Sequence, residues 1–184
     1  MITQIDVRGV LARIGPDLPD LVTRPTGRAV RTSIEIELAR LSGRAVVVLD
    51  FTSVRIMDCS CADEIVAKLV QGYLAAEIPL SLDAFFLIRG LDDHQIDDLD
   101  EVLRRQHLAL VAETQGAMRL IGDVAEQARI AFEHLAARGR AAAEDLVDEL
   151  AWPLDAVRAA LEELALRRLV LHEAGHYQPP TAAA

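Results

Sequence analysis

The sequence predicts an α/β fold: a mixed sheet of four to five strands with helices, followed by a small, mostly helical segment. Strand-type runs alternate with helical periodicity as far as Ile121, which is typical of an α/β domain. From Ala125 the spacing of apolar residues is helical for about 40 residues, and strand-type sequence appears only near the end of the chain. Hydrophobic residues make up 52% and aromatics only 4%, which favours helices packed on a modest sheet.

Bulk properties exclude several classes of protein. No apolar run approaches the roughly 20 residues that span a bilayer, and Met1–Asp6 lacks a basic or signal-type stretch. Cys59 and Cys61 lie too close together in sequence for a disulfide between them to cross-link distant parts of a fold. These features predict a cytoplasmic protein without a membrane partner. The formal net charge of −10 repels nucleic acid and anionic lipid at long range.

The first 43 residues predict strands and then a helix. Residues 2–14 interleave β-type and polar residues, which predicts one or two strands with a hairpin around Gly9. Thr26 is a candidate N-cap for a helix that ends at Ser42-Gly43. The alternation over residues 34–38 also fits a strand. The helix would bury one face, which consists of Val30, Ile34, Leu38 and Leu41.

The middle of the chain predicts two strand–helix units and a further pair of strands. Residues 45–51 form a continuous β-branched run, which indicates a central strand buried on both faces. A helix with a broad apolar stripe follows at residues 62–75. The later elements are strands at 84–89, 108–112 and 118–121 and a helix at 94–105.

The C-terminal segment predicts three helices and a hairpin, the arrangement of a winged helix. The helices lie at 126–138, 143–150 and 154–166, and the strands at 168–172 and 175–178. We therefore predict a first domain at residues 1–124 and a winged-helix-like domain with its own core at 125–178. Residues 179–184 are predicted to be a disordered tail.

The central segment carries a family resemblance. Residues 46–70 read VVVLDFTSVRIMDCSCADEIVAKLV. This segment resembles STAS domains, the fold of anti-anti-sigma factors, and more closely a related STAS-like domain family. That family carries Asp-Phe at the end of this strand and Ala-Asp-Glu near the helix start. The resemblance covers roughly residues 1–122. It implies a non-catalytic regulatory protein that docks a protein partner, for which the family suggests a histidine-kinase-like ATPase.

The resemblance also assigns site residues. In anti-anti-sigma factors the loop reads Asp-Ser-Ser-Gly, and the first serine is phosphorylated by the partner kinase. In this chain Asp58 matches the aspartate, but Cys59 stands where that serine would be, so the usual acceptor is missing. The docking surface implied by the resemblance comprises Asp58, Cys59, Ser60, Asp63 and Glu64.

Ser60 has two interpretations. Ser60 and Asp63 have the spacing of a capping box, with Ser60 as N-cap, and this structural account is favoured. A phosphate on Ser60 would be favoured by the helix dipole but repelled by Asp58, Asp63 and Glu64. Cys59 and Cys61 are interpreted as small packed residues, because two thiols alone do not complete a tetrahedral metal site.

Two further patterns resemble a metal-dependent catalytic site and a calcium site. The sequence His172-Glu173-Ala174-Gly175-His176 matches the zinc-peptidase pattern, but that chemistry needs a helix, and Gly175 favours a hairpin. The acidic run at 92–101 lacks the spacing of a calcium loop and fits a solvated helix start. We predict no catalytic residues, no metal and no cofactor.

The alternative function is transcriptional regulation by DNA binding. Residues 125–184 contain six Arg against ten Asp and Glu, a balance of −4, which disfavours a groove-reading module. The candidate DNA contacts are Arg158, Arg167 and Arg168, whose density a homodimer would double.

Overall fold

The computed structural model describes residues 1–75 and 82–181. Within them a five-stranded sheet has its strands in chain order, with the first four parallel and the fifth antiparallel to the fourth. The strands are β1 (Ile2–Asp6), β2 (Gly43–Asp50), β3 (Leu82–Arg89), β4 (Ala109–Thr114) and β5 (Ala117–Gly122). The predicted α/β class with a mixed sheet is therefore confirmed.

Helices join the strands of this sheet. They are α1 (Val7–Ile14), α2 (Arg24–Leu38), α3 (Cys59–Ala62), a π-helical turn (Asp63–Ala67), α4 (Lys68–Leu74) and α5 (Asp93–Arg105). The helix predicted at 62–75 thus begins at Cys59 and contains a π-turn, where the Lys68 N–H bonds the Asp63 carbonyl. The helix α3, the π-helical turn and α4 form one continuous helical segment.

The predicted hairpin around Gly9 is wrong. Asp6 ends β1 and at once caps α1, because its side chain accepts a hydrogen bond from the Gly9 N–H. The residues Val7, Val10 and Leu11 are buried with helical spacing, which a period-2 interpretation of this segment misses.

The second helix begins three residues earlier than predicted. Thr26 is not its N-cap: α2 starts at Arg24, with Pro25 in the first turn, where a missing N–H costs nothing. Val30, Ile34 and Leu38 are fully buried along one face, so the helical interpretation is confirmed and the strand alternative is wrong.

The sheet is buried on both faces. On the first face Val47, Leu49 and Phe86 pack in one core with α1 to α5. On the second face Val46, Val48 and their neighbours from β3 to β5 form another core with the C-terminal segment. The prediction that residues 45–49 are buried on both sides is confirmed.

The C-terminal segment has the predicted order of three helices and a hairpin. These elements are α6 (Glu126–Arg138), α7 (Ala143–Leu150), α8 (Leu154–Leu166), β6 (Leu171–Glu173) and β7 (His176–Gln178). The prediction of a separate core is wrong, since Phe132, Leu161 and Val170 share their core with the second face of the sheet. Pro179 and Pro180 are buried, and residues 182–184 lie outside the described part of the chain.

Candidate functional site at the start of α3

The loop at residues 51–58, between β2 and α3, is held in place at its first residues. Asp50 accepts a hydrogen bond from the Thr52 N–H at 2.9 Å and pairs with Arg89 at 2.8 Å. Gly90 has a φ of +80°, and a Cβ there would lie 2.3 Å from the Thr52 nitrogen. This close approach between two loops therefore requires glycine.

The same loop forms a short parallel bridge with the segment before α2. The Leu21 N–H donates to the Ile56 carbonyl at 2.9 Å, and the Asp58 N–H donates to the Leu21 carbonyl at 3.0 Å. Leu21 and Met57 face the core, whereas the flanking residues face outward: Val22 is 42% exposed and Ile56 is 45% exposed. The bridge thus presents apolar side chains to solvent.

Asp58, not Ser60, caps α3, so the predicted capping box is wrong. Its carboxylate accepts hydrogen bonds from the Cys61 N–H at 2.7 Å and from the Thr23 N–H at 3.1 Å. Ser60 is half-buried, and its hydroxyl donates to Asp58 at 2.8 Å. Burial opposes the charged carboxylate, but these hydrogen bonds outweigh it and hold the pKa of Asp58 below its usual value.

The two cysteines differ in exposure. Cys59 is exposed, so the packing role predicted for it is wrong, whereas Cys61 is buried. Burial, reinforced by the charge of Asp58, raises the pKa of Cys61 to about 12, and its thiol donates to the Thr23 carbonyl. A thiol so hard to ionise is inert, which agrees with the packing role expected for Cys61.

The structure contradicts the direct docking role predicted for Glu64. Its side chain is 0% exposed, so it cannot contact a partner directly. Arg24 lies 3.0 Å and Arg31 3.4 Å from its carboxylate, and Lys68 donates to it as well. Burial opposes ionisation, but these cations outweigh it and lower the pKa of Glu64.

Asp63 lies beside Glu64 and is also paired. It accepts hydrogen bonds from Arg24 at 2.7 Å and from Gln106, and 14% of its side chain is exposed. We call the two acids with Arg24, Arg28, Arg31 and Lys68 the Glu64 cluster. The prediction missed these cations, although arginines at 24, 28 and 31 have the spacing of one helical face.

The structure therefore brings the five predicted residues together at one helix start. Of these, Cys59 is exposed, three are partly covered and Glu64 is buried. Partner binding and phosphorylation of Ser60 stay predictions. The bridge side chains Val22 and Ile56 were not predicted, because their exposure depends on a pairing between distant segments.

Each of the three candidate DNA contacts already has a partner within this chain. Arg158 pairs with Glu144, and Arg167 lies 3.5 Å from the His107 carbonyl. Arg168 pairs with Asp83 of β3 and lies over the Phe85 ring. Two of the three thus bind the rest of this chain rather than face solvent as a patch.

The zinc-peptidase pattern lies in the β6–β7 hairpin, as predicted, where His172 stacks on Tyr177 at 4.2 Å. In the described ranges no group of three metal-ligating side chains converges. None of the described helices is both long and apolar enough to cross a bilayer.

Comparisons with known proteins found no match among family models, curated proteins or solved structures. The case for a function therefore depends on the geometry of the loop, the bridge and the Glu64 cluster.

Proposed function

We propose that this is a non-catalytic cytoplasmic regulatory protein that acts by docking a protein partner at the start of α3. The observation that carries the proposal is the exposure of Val22 and Ile56, which flank the two bridge residues, and of Cys59 at the start of α3. We call these three residues the bridge surface. Apolar side chains held exposed on a structured loop are available to be buried by a protein partner.

The backbone under this surface is fixed before a partner arrives. Hydrogen bonds from both segments hold the bridge, and Asp58 ties Thr23 to the first turn of α3. Less conformational entropy is then lost on binding, which favours affinity from a small contact area. Ser60 and Asp63, at the same helix start as Cys59, are partly covered polar groups, which are the kind that provide specificity at an interface.

The resemblance to STAS-like domains supports the same location, since the family's regulatory loop falls on residues 58–61. By that resemblance the partner is a histidine-kinase-like ATPase. Modification of Ser60 would remove its hydrogen bond to Asp58 and place two like charges together. Free thiols at Cys59 and Cys61 suit a reducing compartment.

DNA binding is the weaker candidate. The exposed residues of α8 include Asp155 and Glu162 beside Arg158, and Arg158 is already paired with Glu144. Since phosphate contacts supply most of the affinity for DNA, this face is poorly suited to a groove.

The test replaces one exposed isoleucine and uses another as its control. The tagged protein captures partners from extract of its own cells, and the captured partner is then purified and titrated by calorimetry. Ile56→Asp should weaken binding by at least about tenfold, because it puts a charge into the apolar centre of the contact. Ile2→Asp makes the same change at an exposed position at the start of β1, at the end of the sheet away from the 51–58 loop, and should leave affinity unchanged.

Circular dichroism and thermal melting establish that both variants fold, as expected for exposed positions. Equal affinities for Ile56→Asp, Ile2→Asp and the unaltered protein would rule out the bridge surface as the docking site.

A further inference from the structure

The Glu64 cluster holds more cations than its carboxylates neutralise. Arg24, Arg28, Arg31 and Lys68 surround Asp63 and Glu64, which leaves an excess of two positive charges. Glu35 pairs with Arg31 at 2.9 Å and removes one of them. In a chain with a net charge of −10, this is a local inversion of sign.

The remaining positive charge lies mainly on Arg28. Its side chain is 65% exposed, and its contact with Glu64 is 4.0 Å long, at the limit of an ion pair. Its side chain forms no hydrogen bond within the described ranges. By contrast, the guanidinium of Arg24 is held by two carboxylates, which fixes its position although half of the side chain is exposed.

An open groove of about 540 Å³ lies between these two arginines. Its lining includes apolar Ile14, Pro25 and Ala29 and the polar residues Thr32 and Ser33. The groove therefore combines two cationic groups with apolar contact area and hydroxyl groups. This combination suits a peptide that carries both carboxylates and apolar side chains.

We propose that this groove of α2 binds an acidic, apolar segment of the partner protein, with carboxylates paired to Arg28 and Arg24. The inference rests on the proposed docking function and names the chemistry of the partner. Arg24 belongs both to the Glu64 cluster, where it pairs with Asp63, and to the lining of the groove.

A polyanion fits the same arginines less well. DNA and anionic membranes carry many charges over a long distance, so the net charge of −10 repels them strongly outside the groove. A short segment with a few carboxylates meets much less of this repulsion.

The experiment uses the full chain and three fluorescein-labelled peptides. The first alternates Glu and Leu, the second replaces Glu with Gln, and the third replaces Leu with Ser. Fluorescence anisotropy at low salt should show that the Glu/Leu peptide binds at least about tenfold more tightly than either variant. High salt should weaken its binding.

Arg28→Glu tests the arginine, and Arg40→Glu is its matched control with the same change in net charge at an exposed position after α2. Arg28→Glu should weaken binding of the Glu/Leu peptide by at least about tenfold, whereas Arg40→Glu should change it by less than about twofold.

Four outcomes would overturn the inference: no binding of the Glu/Leu peptide, equal binding of the Gln version, equal losses in the two Arg variants, or tighter binding of duplex DNA or phosphatidylserine vesicles. Failure of the proposed function has a different signature. If Ile56→Asp leaves affinity for the captured partner intact while Arg28→Glu reduces it, the bridge surface is wrong and the groove stands.

Discussion

The two faces of the sheet are covered in different ways. The first face is packed by α1 to α5, which lie between the strands in the chain, and its border contains the Glu64 cluster. The second face is packed by α6 to α8, which follow the last strand. Buried charge is concentrated near the first face, since Glu64 is the one fully buried acid among the described residues.

The C-terminal segment packs on the second face mainly through apolar contacts, with ion pairs at the rim of the interface. Arg44 and Arg168 from opposite sides of the interface both pair with Asp83 and lie over Phe85. Arg44 also reaches Glu173 of the hairpin at 2.6 Å. The difference suggests that the second face provides stability, whereas the first face supplies the surface offered to a partner.

Removal of residues 125–184 should have the largest effect. It would expose Val46, Val48, Phe85 and Leu87, each of which loses about 1.5–3 kcal/mol of burial. Together this loss of about 6–12 kcal/mol is as large as the whole stability of a typical domain, about 5–15 kcal/mol, so residues 1–124 should unfold or aggregate. Size-exclusion chromatography and circular dichroism provide the measurement. A monomeric fragment with a cooperative melt would show instead that residues 1–124 fold without the C-terminal segment.

Removal of the buried carboxylate should have the next largest effect. Glu64→Ala leaves Arg24, Arg31 and Lys68 without their shared counter-ion and should lower the free energy of unfolding by about 3 kcal/mol. Urea denaturation measures this. The control is Glu101→Ala, which breaks an exposed pair with Arg105 and should cost less than about 1 kcal/mol. Equal losses in both variants would mean that the cations of the cluster reach solvent and need no counter-ion.

The smallest expected effect is on the pH dependence of stability, where Glu64 near the first face is compared with Asp83 at the second. The pKa of Glu64 and that of Asp83 are both lowered by nearby cations against the opposing effect of burial. A carboxyl group with a lowered folded-state pKa stabilises the fold above its unfolded pKa, and this contribution disappears as pH falls through the folded value.

Denaturation at a series of pH values below about 5 should therefore show a shallower loss of stability for Glu64→Gln than for the unaltered protein. Asp83→Asn should have less effect, because water screens that partly exposed side chain. A larger change for Asp83→Asn would place the more important charge at the second face.

Much of the fold could be predicted from the sequence. The bounds of α6, α7 and α8 agree with the predicted ranges, because their apolar residues recur with helical spacing between clear stop signals. The opening segment could not be predicted, since the helix α1 is set by the Asp6 cap and by burial against α2. The five predicted site residues lie together at 58–64, but Asp58 takes the capping role assigned to Ser60, and partner binding there stays a prediction.

The sequence by itself determined the alternation of strands and helices, the burial of residues 45–49 on both faces and the acidic balance, because these depend on local spacing and composition. Only the tertiary structure decided that the C-terminal segment covers the second face and that Glu64 is buried among cations. It also decided that Val22 and Ile56 remain exposed. These features join residues about 30 or more positions apart, and no local pattern specifies such pairings.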